Sequence, residues 1–243
     1  MKQTTWGAIL VAAALASPAF AQHWSYTGEA GPDNWSKVDG KNIMCALGRN
    51  QSPIDLADFV EADLKPLKID YKAGAAEVIN NGHTVQVNYA PGSTLTVDGR
   101  AFELKQFHFH APSENRINGK PFPMEGHLVH ADKDGNLAVV AVMFEAGAAN
   151  AVLEKAWAAM PAQAGGKASL PAGLNVMQMM PADKDYYRFN GSLTTPPCSE
   201  GVRWLVLKKP ATVSKAQVDQ FSKTLGFANN RPIQPVNARP VLQ

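Results

Sequence analysis

Phe102-Glu103-Leu104-Lys105-Gln106-Phe107-His108-Phe109-His110 and, further on, Glu125-Gly126-His127-Leu128-Val129-His130 are the two runs on which the reading of this chain turns. Aromatic and aliphatic residues alternate with polar ones in both, the period-two pattern of a β-strand. In a strand that period puts His108 and His110 on one face and Phe107 and Phe109 on the other. The first run therefore offers a preformed pair of imidazoles to a metal. His127 and His130 are three residues apart, so a strand sends them to opposite faces and only one can join the pair. Glu125, His127 and Val129 share a face. Glu125 can orient His127, and Gln106 can orient His108, each from the i, i+2 position; metal-bound imidazoles usually have such a partner on the other ring nitrogen.

Outward from these runs, short β-like segments alternate with Gly, Pro, Asn and Asp. Strands are expected at 67–71, 77–79, 84–89, 94–97, 102–109, 125–130, 137–144 and 202–207. Helices are expected at 149–160 and 214–225, the second with Ser214 as N-cap and Gly226 as its stop. No linker, internal repeat or charge block divides the chain. The pattern is that of a single, mainly β (α+β) domain with a few peripheral helices.

The 243 residues are 45% hydrophobic and 18% charged, a globular composition long enough to bury a sizeable core. With 23 basic and 21 acidic residues, net charge +2, there is no electrostatic reason to expect nucleic acid or an anionic membrane as partner. The first residues read as an export signal: Lys2, an apolar run from Trp6 to Ala16, and Ala19-Phe20-Ala21 as a cleavage site after Pro18. That run is short of the roughly 20 residues that span a bilayer. The expectation is a cleaved signal peptide at 1–21, a domain at 22–243, and a periplasmic or secreted protein. In an oxidising compartment Cys45 and Cys198 can form a disulfide, the alternative being two buried thiols.

Three neutral histidines suit Zn²⁺ in a catalytic site, with water in an open fourth position. A cupin-like iron site fits loosely, since His108-x-His110 is followed by Glu114, but the downstream glycine and second cupin motif are missing.

Gln106 to His110, then Pro112-Ser113-Glu114, then Glu125 to His130, is similar to the zinc-ligand region of the α-class carbonic anhydrases. The resemblance covers nearly all of the chain after the leader. It includes His23-Trp24-Ser25-Tyr26, Gln51-Ser52-Pro53-Ile54-Asp55, Asn81-Gly82-His83, the run from Tyr187 to Pro197, Glu200, Trp204, and Asn230-Arg231-Pro232-Ile233-Gln234-Pro235. It implies a central, twisted, mostly antiparallel sheet and reversible hydration of carbon dioxide to bicarbonate and a proton by a zinc-bound hydroxide. By the same resemblance His108, His110 and His127 hold Zn²⁺, Thr194 and Glu114 orient the attacking oxygen, and Thr195 contacts bicarbonate. Tyr26 belongs to the water network and His83 is the proton shuttle. Val129, Val139, Leu193, Val202 and Trp204 form the carbon dioxide pocket, and Cys45 and Cys198 match the disulfide of secreted members. The implied partners are carbon dioxide, bicarbonate and water, with the protein a monomer or homodimer. Lys105, Ala111 and Gln86 depart from residues common at their positions in the family. His130 and His23 are expected to be structural. The rival on the same fold is a non-catalytic binding protein, which the presence of all three histidines disfavours.

Overall fold

Among the described residues, eleven of thirteen strands join one sheet. The computed structural model describes residues 23–243, so the leader-like segment, its cleavage point and Gln22 lie outside the described residues. The strands are β1 (Asp55–Leu56), β2 (Lys68–Asp70), β3 (Ala75–Asn80), β4 (Val85–Tyr89), β5 (Thr94–Val97), β6 (Arg100–His110), β7 (Arg116–Ile117), β8 (Met124–Ala131), β9 (Leu137–Ala146), β10 (Lys167–Ser169), β11 (Tyr186–Ser192), β12 (Glu200–Leu207) and β13 (Ala211–Val213). The helices are α1 (Trp35–Val38), α2 (Met44–Leu47), α3 (Ala151–Ala158) and α4 (Lys215–Leu225).

The sheet runs β10-β3-β4-β6-β8-β9-β12-β11, with β5 also on β6, β2 on β5 and β13 on β9. Only β9–β12 and β9–β13 are parallel within it, so it is a mostly antiparallel sheet, as expected. Strands β1 and β7 form a separate parallel pair. Among the described residues, no helix is long and apolar enough to cross a membrane.

Strict alternation separates the two faces of the sheet. On β9, Val140, Val142 and Phe144 enter one apolar cluster, while Val139, Ala141 and Met143 enter another. The first cluster is covered by α3 and α4 through Val152, Leu153, Trp157 and Phe221. Strand β6 changes phase partway. Phe102 and Leu104 point into the helix-covered cluster, and so do Phe107 and Phe109, although the parity has switched. A β-bulge makes this possible: Leu104 pairs with His130 and Gln106 with Val129, which leaves exposed Lys105 as the extra residue. Beyond the bulge the even positions Gln106, His108 and His110 face away from the helices.

The capping predicted for α4 is present. Ser214 and Gln217 form a reciprocal capping box, and Gly226 ends the helix at φ +79°, a conformation that favours glycine. The helix expected over 149–160 is shorter, because Asn150 serves as its N-cap by accepting from the N–H groups of Val152 and Leu153. Strand β11 was not expected. Asn190-Gly191 reads as a turn signal, and its burial does not alternate cleanly. Its outer edge is paired with the C-terminal segment through two bonds between Arg188 and Leu242, each 2.9 Å. The strands β1, β7, β10 and β13 and the helices α1 and α2 span two to four residues each, too few for a periodic signal.

Cys45 and Cys198 form a disulfide across a sequence separation of 153 residues. Closing so long a loop in the unfolded chain is worth about 4 to 5 kcal/mol in the loop-entropy model.

His130 faces the helix-covered side and is fully buried. Its Nδ1–H donates to the Ala138 carbonyl (3.1 Å), and its Nε2 accepts from the Tyr71 hydroxyl (2.6 Å), a fully satisfied neutral imidazole. Burial pulls its pKa down to about 4. Between pH 6.5 and 4 the unfolded chain binds a proton here that the folded chain does not, so stability falls as pH falls through that window. The effect is on the order of 3 kcal/mol. His130→Gln should be the less stable protein at pH 7, and the gap to the parent should narrow by pH 4.5. Urea unfolding at both pH values checks this, and an unchanged gap refutes it.

Candidate metal centre

The register of β6 on β8 sets His108 directly opposite His127, and His110 opposite Glu125. One candidate ligand atom from each of His108, His110 and His127 lies within 4.8 Å of the others. All three rings crowd one spot, with centroids 5.1, 5.3 and 4.6 Å apart.

Each ring has one nitrogen committed. His108 Nδ1 lies 2.8 Å from Gln106 Oε1, His110 Nδ1 lies 2.7 Å from the Asn229 carbonyl, and His127 Nε2 lies 2.9 Å from Glu125 Oε1. Every partner atom is an acceptor, so each of these nitrogens carries the proton and donates it. What remains is a lone pair on His108 Nε2, His110 Nε2 and His127 Nδ1, all turned toward a common centre. His110 Nε2 is buried without a hydrogen-bond partner. An orphaned buried lone pair in a group of three neutral imidazoles is the arrangement a divalent cation satisfies. Burial lowers the pKa of both His108 and His110, which keeps them in the neutral, ligating form.

Glu125 is itself locked. It accepts from the N–H of Glu114 (2.7 Å), the N–H of Asn115 (2.8 Å) and the Asn115 amide (2.7 Å). Burial acts to raise its pKa, but His127 and these donors outweigh burial and hold it below the ordinary value. Gly126, between Glu125 and His127, leaves room behind the site: a Cβ there would lie 3.2 Å from both Phe109 and Phe144.

Glu114 is buried beside the imidazoles, its Oε2 3.4 Å from His110 Nε2 and 3.9 Å from His127 Nδ1. Its Oε1 accepts from the Arg231 N–H at 2.9 Å, while Oε2 has no hydrogen-bond partner. Burial pushes the carboxyl up to about 7, against the opposing pull of His127, Arg231 and the Thr194 hydroxyl. A dication at the centre of the imidazoles would stabilise the carboxylate.

Thr194 and Thr195 lie on the loop between β11 and β12. The loop is tied across its base by Leu193 N–H to Ser199 O (2.9 Å) and across its tip by Cys198 N–H to Thr195 O (2.9 Å). The disulfide joins it to α2, and Gln51 Nε2 donates to the Cys198 carbonyl (3.0 Å). Val129, Val139 and Trp204 stand opposite one another on β8, β9 and β12. With Val202 and Leu193 they belong to the second apolar cluster, and the Trp204 ring meets His127 edge-on at 4.9 Å.

Tyr26 packs among Trp24, Trp35 and Phe227. Burial raises its pKa, as does the nearby Glu114. Gln86 pairs across the strands with His108 and donates to Asn88 (2.7 Å). His83 sits in the turn after β3, its ring against Trp24 at 3.7 Å between centroids.

Three contributors carried no signal of their own in the sequence. Asn229 holds His110 with its carbonyl, and its side chain bonds Ala111 N–H, Phe109 O and His83 O. Asn115 clamps Glu125. Arg231 is buried, its guanidinium donating to Gln51 Oε1 (2.8 Å), Ser52 O (2.7 Å) and Cys45 O (3.1 Å). Arg231 lies in the Asn230-to-Pro235 run of the resemblance, and Asn229 immediately precedes that run, but nothing in their spacing connects them to strands more than a hundred residues earlier.

A family model described as eukaryotic-type carbonic anhydrase matches residues 30–243. A carbonic anhydrase of Pectobacterium carotovorum is 48% identical over 227 residues, 93% of each chain. One from Neisseria gonorrhoeae is 46% identical over 241 residues, covering 97% of this chain and 95% of that one. Among solved structures, the α-carbonic anhydrase of Thermovibrio ammonificans with sulfanilamide superposes with a TM-score of 0.89 at 50% identity, over 91% of this chain and 99% of that chain. With this match along the chain and the sheet, the protein belongs to the α-class, or eukaryotic-type, carbonic anhydrase family, and is an enzyme of carbon dioxide and bicarbonate.

Proposed function

We propose that the chain binds Zn²⁺ through His108, His110 and His127 and uses it for reversible hydration of carbon dioxide to bicarbonate and a proton. The observation that carries the reading is the set of three lone pairs turned to one centre by three fixed N–H donations. Bound zinc supplies hydroxide at neutral pH by bringing the pKa of a coordinated water to roughly 7, carbonic anhydrase being the standard instance.

The protein's own residues then position the reactants. Thr194 donates a hydrogen bond from its hydroxyl to the Glu114 carboxylate and so presents an oxygen lone pair that accepts from the attacking oxygen, fixing its direction. Carbon dioxide has no charge and no donor, so it is held against the apolar wall of Val129, Val139, Leu193, Val202 and Trp204. Thr195 contacts bicarbonate, and Tyr26 borders the water chain. Support for the assignment comes from the burial of Glu114 and from the anchoring of the threonine loop by the disulfide.

Proton export falls to His83. A group of pKa near 7 releases protons to bulk water at about 10⁴ s⁻¹ at most, the diffusional return rate times 10⁻⁷ M. Faster turnover needs a nearby group that titrates near neutrality, and histidine is the side chain whose ordinary pKa lies there. Where the His83 ring lies on Trp24, burial and then His23 pull its pKa down to about 4. That is a place where a proton is shed. The ring takes one up by turning away from Trp24 about the Asn81-Gly82 turn, in which Gly82 has φ +85°.

The leader-like start and the disulfide together support cleavage after residue 21, a domain of residues 22–243, and a periplasmic or secreted site of action, as monomer or homodimer. No feature of the charge pattern calls for nucleic acid or membrane as partner.

Three variants test the reading. His110→Ala should lose stoichiometric zinc and nearly all hydration while staying folded, by metal analysis, stopped-flow assay and circular dichroism. Full zinc and full activity in it refute the ligand set. Thr194→Ala should keep zinc and lose 10² to 10³ in turnover, the usual size of one preorganised transition-state hydrogen bond. His83→Ala should lower turnover in dilute buffer with kcat/KM for carbon dioxide nearly unchanged, and added imidazole should restore the rate.

A further inference from the structure

A second histidine, His23, accompanies His83. The ring of His83 lies flat on Trp24, centroids 3.7 Å apart and planes within 11°. His23 is 5.1 Å from His83, with planes within 10°. His23 and Trp24 are 6.4 Å apart, far closer than the ends of a straight three-ring column. His23 therefore stands beside His83, edge to edge, and not over its free face. Two coplanar imidazoles at that separation bring nitrogens to about 3 Å from each other once their nitrogen edges face, a normal hydrogen-bond length.

The pair is asymmetric. His83 is half-buried, whereas His23 is exposed. His23 Nδ1 lies 3.3 Å from the Trp24 carbonyl, which can only accept, so Nδ1 carries the proton in the neutral ring and Nε2 holds the lone pair.

We propose that His23 is the outer station of a two-imidazole relay, taking the proton from His83 at its Nε2 and passing it to buffer. The proposal rests on the reading of His83 as the proton carrier. In the transfer one N–H bond of His83 breaks as one forms at His23 Nε2. A buffer base then removes a proton from His23, and both rings end neutral. The direction follows from the surroundings. Charge on His83 is disfavoured by burial and by His23. The other groups that touch it, Trp24 and the side chains of Asn81 and Asn229, carry no charge. Charge on His23 is met by water.

The test is a double-mutant cycle on the zinc-loaded enzyme with His23→Ala, His83→Ala and the double variant. Turnover is measured in dilute and concentrated buffer, and the imidazole resonances are titrated by NMR. His23→Ala should lower turnover several-fold in dilute buffer, leave kcat/KM for carbon dioxide unchanged, and recover in concentrated imidazole buffer. In the His83→Ala background it should have no further effect. The His83 titration should move to higher pH when His23 is removed, because a neighbouring positive charge is lost. Undiminished turnover of His23→Ala in dilute buffer overturns the relay even if the titration moves, and so does an equal loss with or without His83. If His83→Ala itself leaves turnover in dilute buffer unchanged, the reading of His83 has failed, and the relay with it.

Discussion

The register between β6 and β8 is the constraint on which the rest of the site depends. An antiparallel pair with His108 opposite His127 places His110 two residues further along the same face, so three imidazoles meet without any loop having to deliver one. The bulge at Lys105 sets the phase of β6. It lets four hydrophobic residues, Phe102, Leu104, Phe107 and Phe109, all pack on the helix-covered side even though their parity changes, and it frees the even positions after it for polar work. A one-residue slip would exchange the histidines for phenylalanines, which is why a buried apolar face fixes the register so firmly.

Around that pair, the polar groups that face the site are arranged as acceptors for imidazole N–H or as donors to carboxylates. Glu125 receives three donors and gives its remaining capacity to His127. Glu114 receives the Arg231 N–H on one oxygen and leaves the other facing the imidazoles. A buried polar network is stabilising only when its members are satisfied, and two atoms here are not: His110 Nε2 and Glu114 Oε2. They are 3.4 Å apart, so the unsatisfied part of the network lies at the group of three imidazoles.

A part of the chain with neither helix nor strand also comes close to Glu114, through Thr194. The loop between β11 and β12 is fastened to the N-terminal segment by the disulfide, by Gln51 and, through the Cys45 carbonyl, by Arg231. The Arg231 guanidinium keeps its donors on neutral oxygens and lies over Trp35, and burial pulls its pKa down to about 10, so it stays charged at neutral pH. Through its backbone N–H on Glu114 and its guanidinium on the Cys45 carbonyl, Arg231 links the carboxylate, the disulfide and the segment after α4.

Much of this was legible in the residues. His108-Phe109-His110 and Glu125-Gly126-His127 declare both strand and face through alternation, and Ser214 with Gly226 declares the ends of a helix through capping chemistry. These are local signals, carried by neighbours within four residues. The ordered series of motifs then identified the family. The choice of His127 over His130 needed more than local pattern, since either could join the pair on periodicity alone; the structure separates them by burying His130 against Tyr71 on the opposite face. Strand β11 stayed hidden because Asn190-Gly191 signals a turn, and only its pairing with β12 and the C-terminal segment overrides that preference. Asn229 on His110, Arg231 behind Glu114, and Trp24 and His23 beside His83 were likewise set by tertiary structure alone. Each is a contact between segments separated by roughly sixty to more than a hundred residues, and such contacts follow from how sheet, loop and termini close on one another, which no local period or spacing encodes.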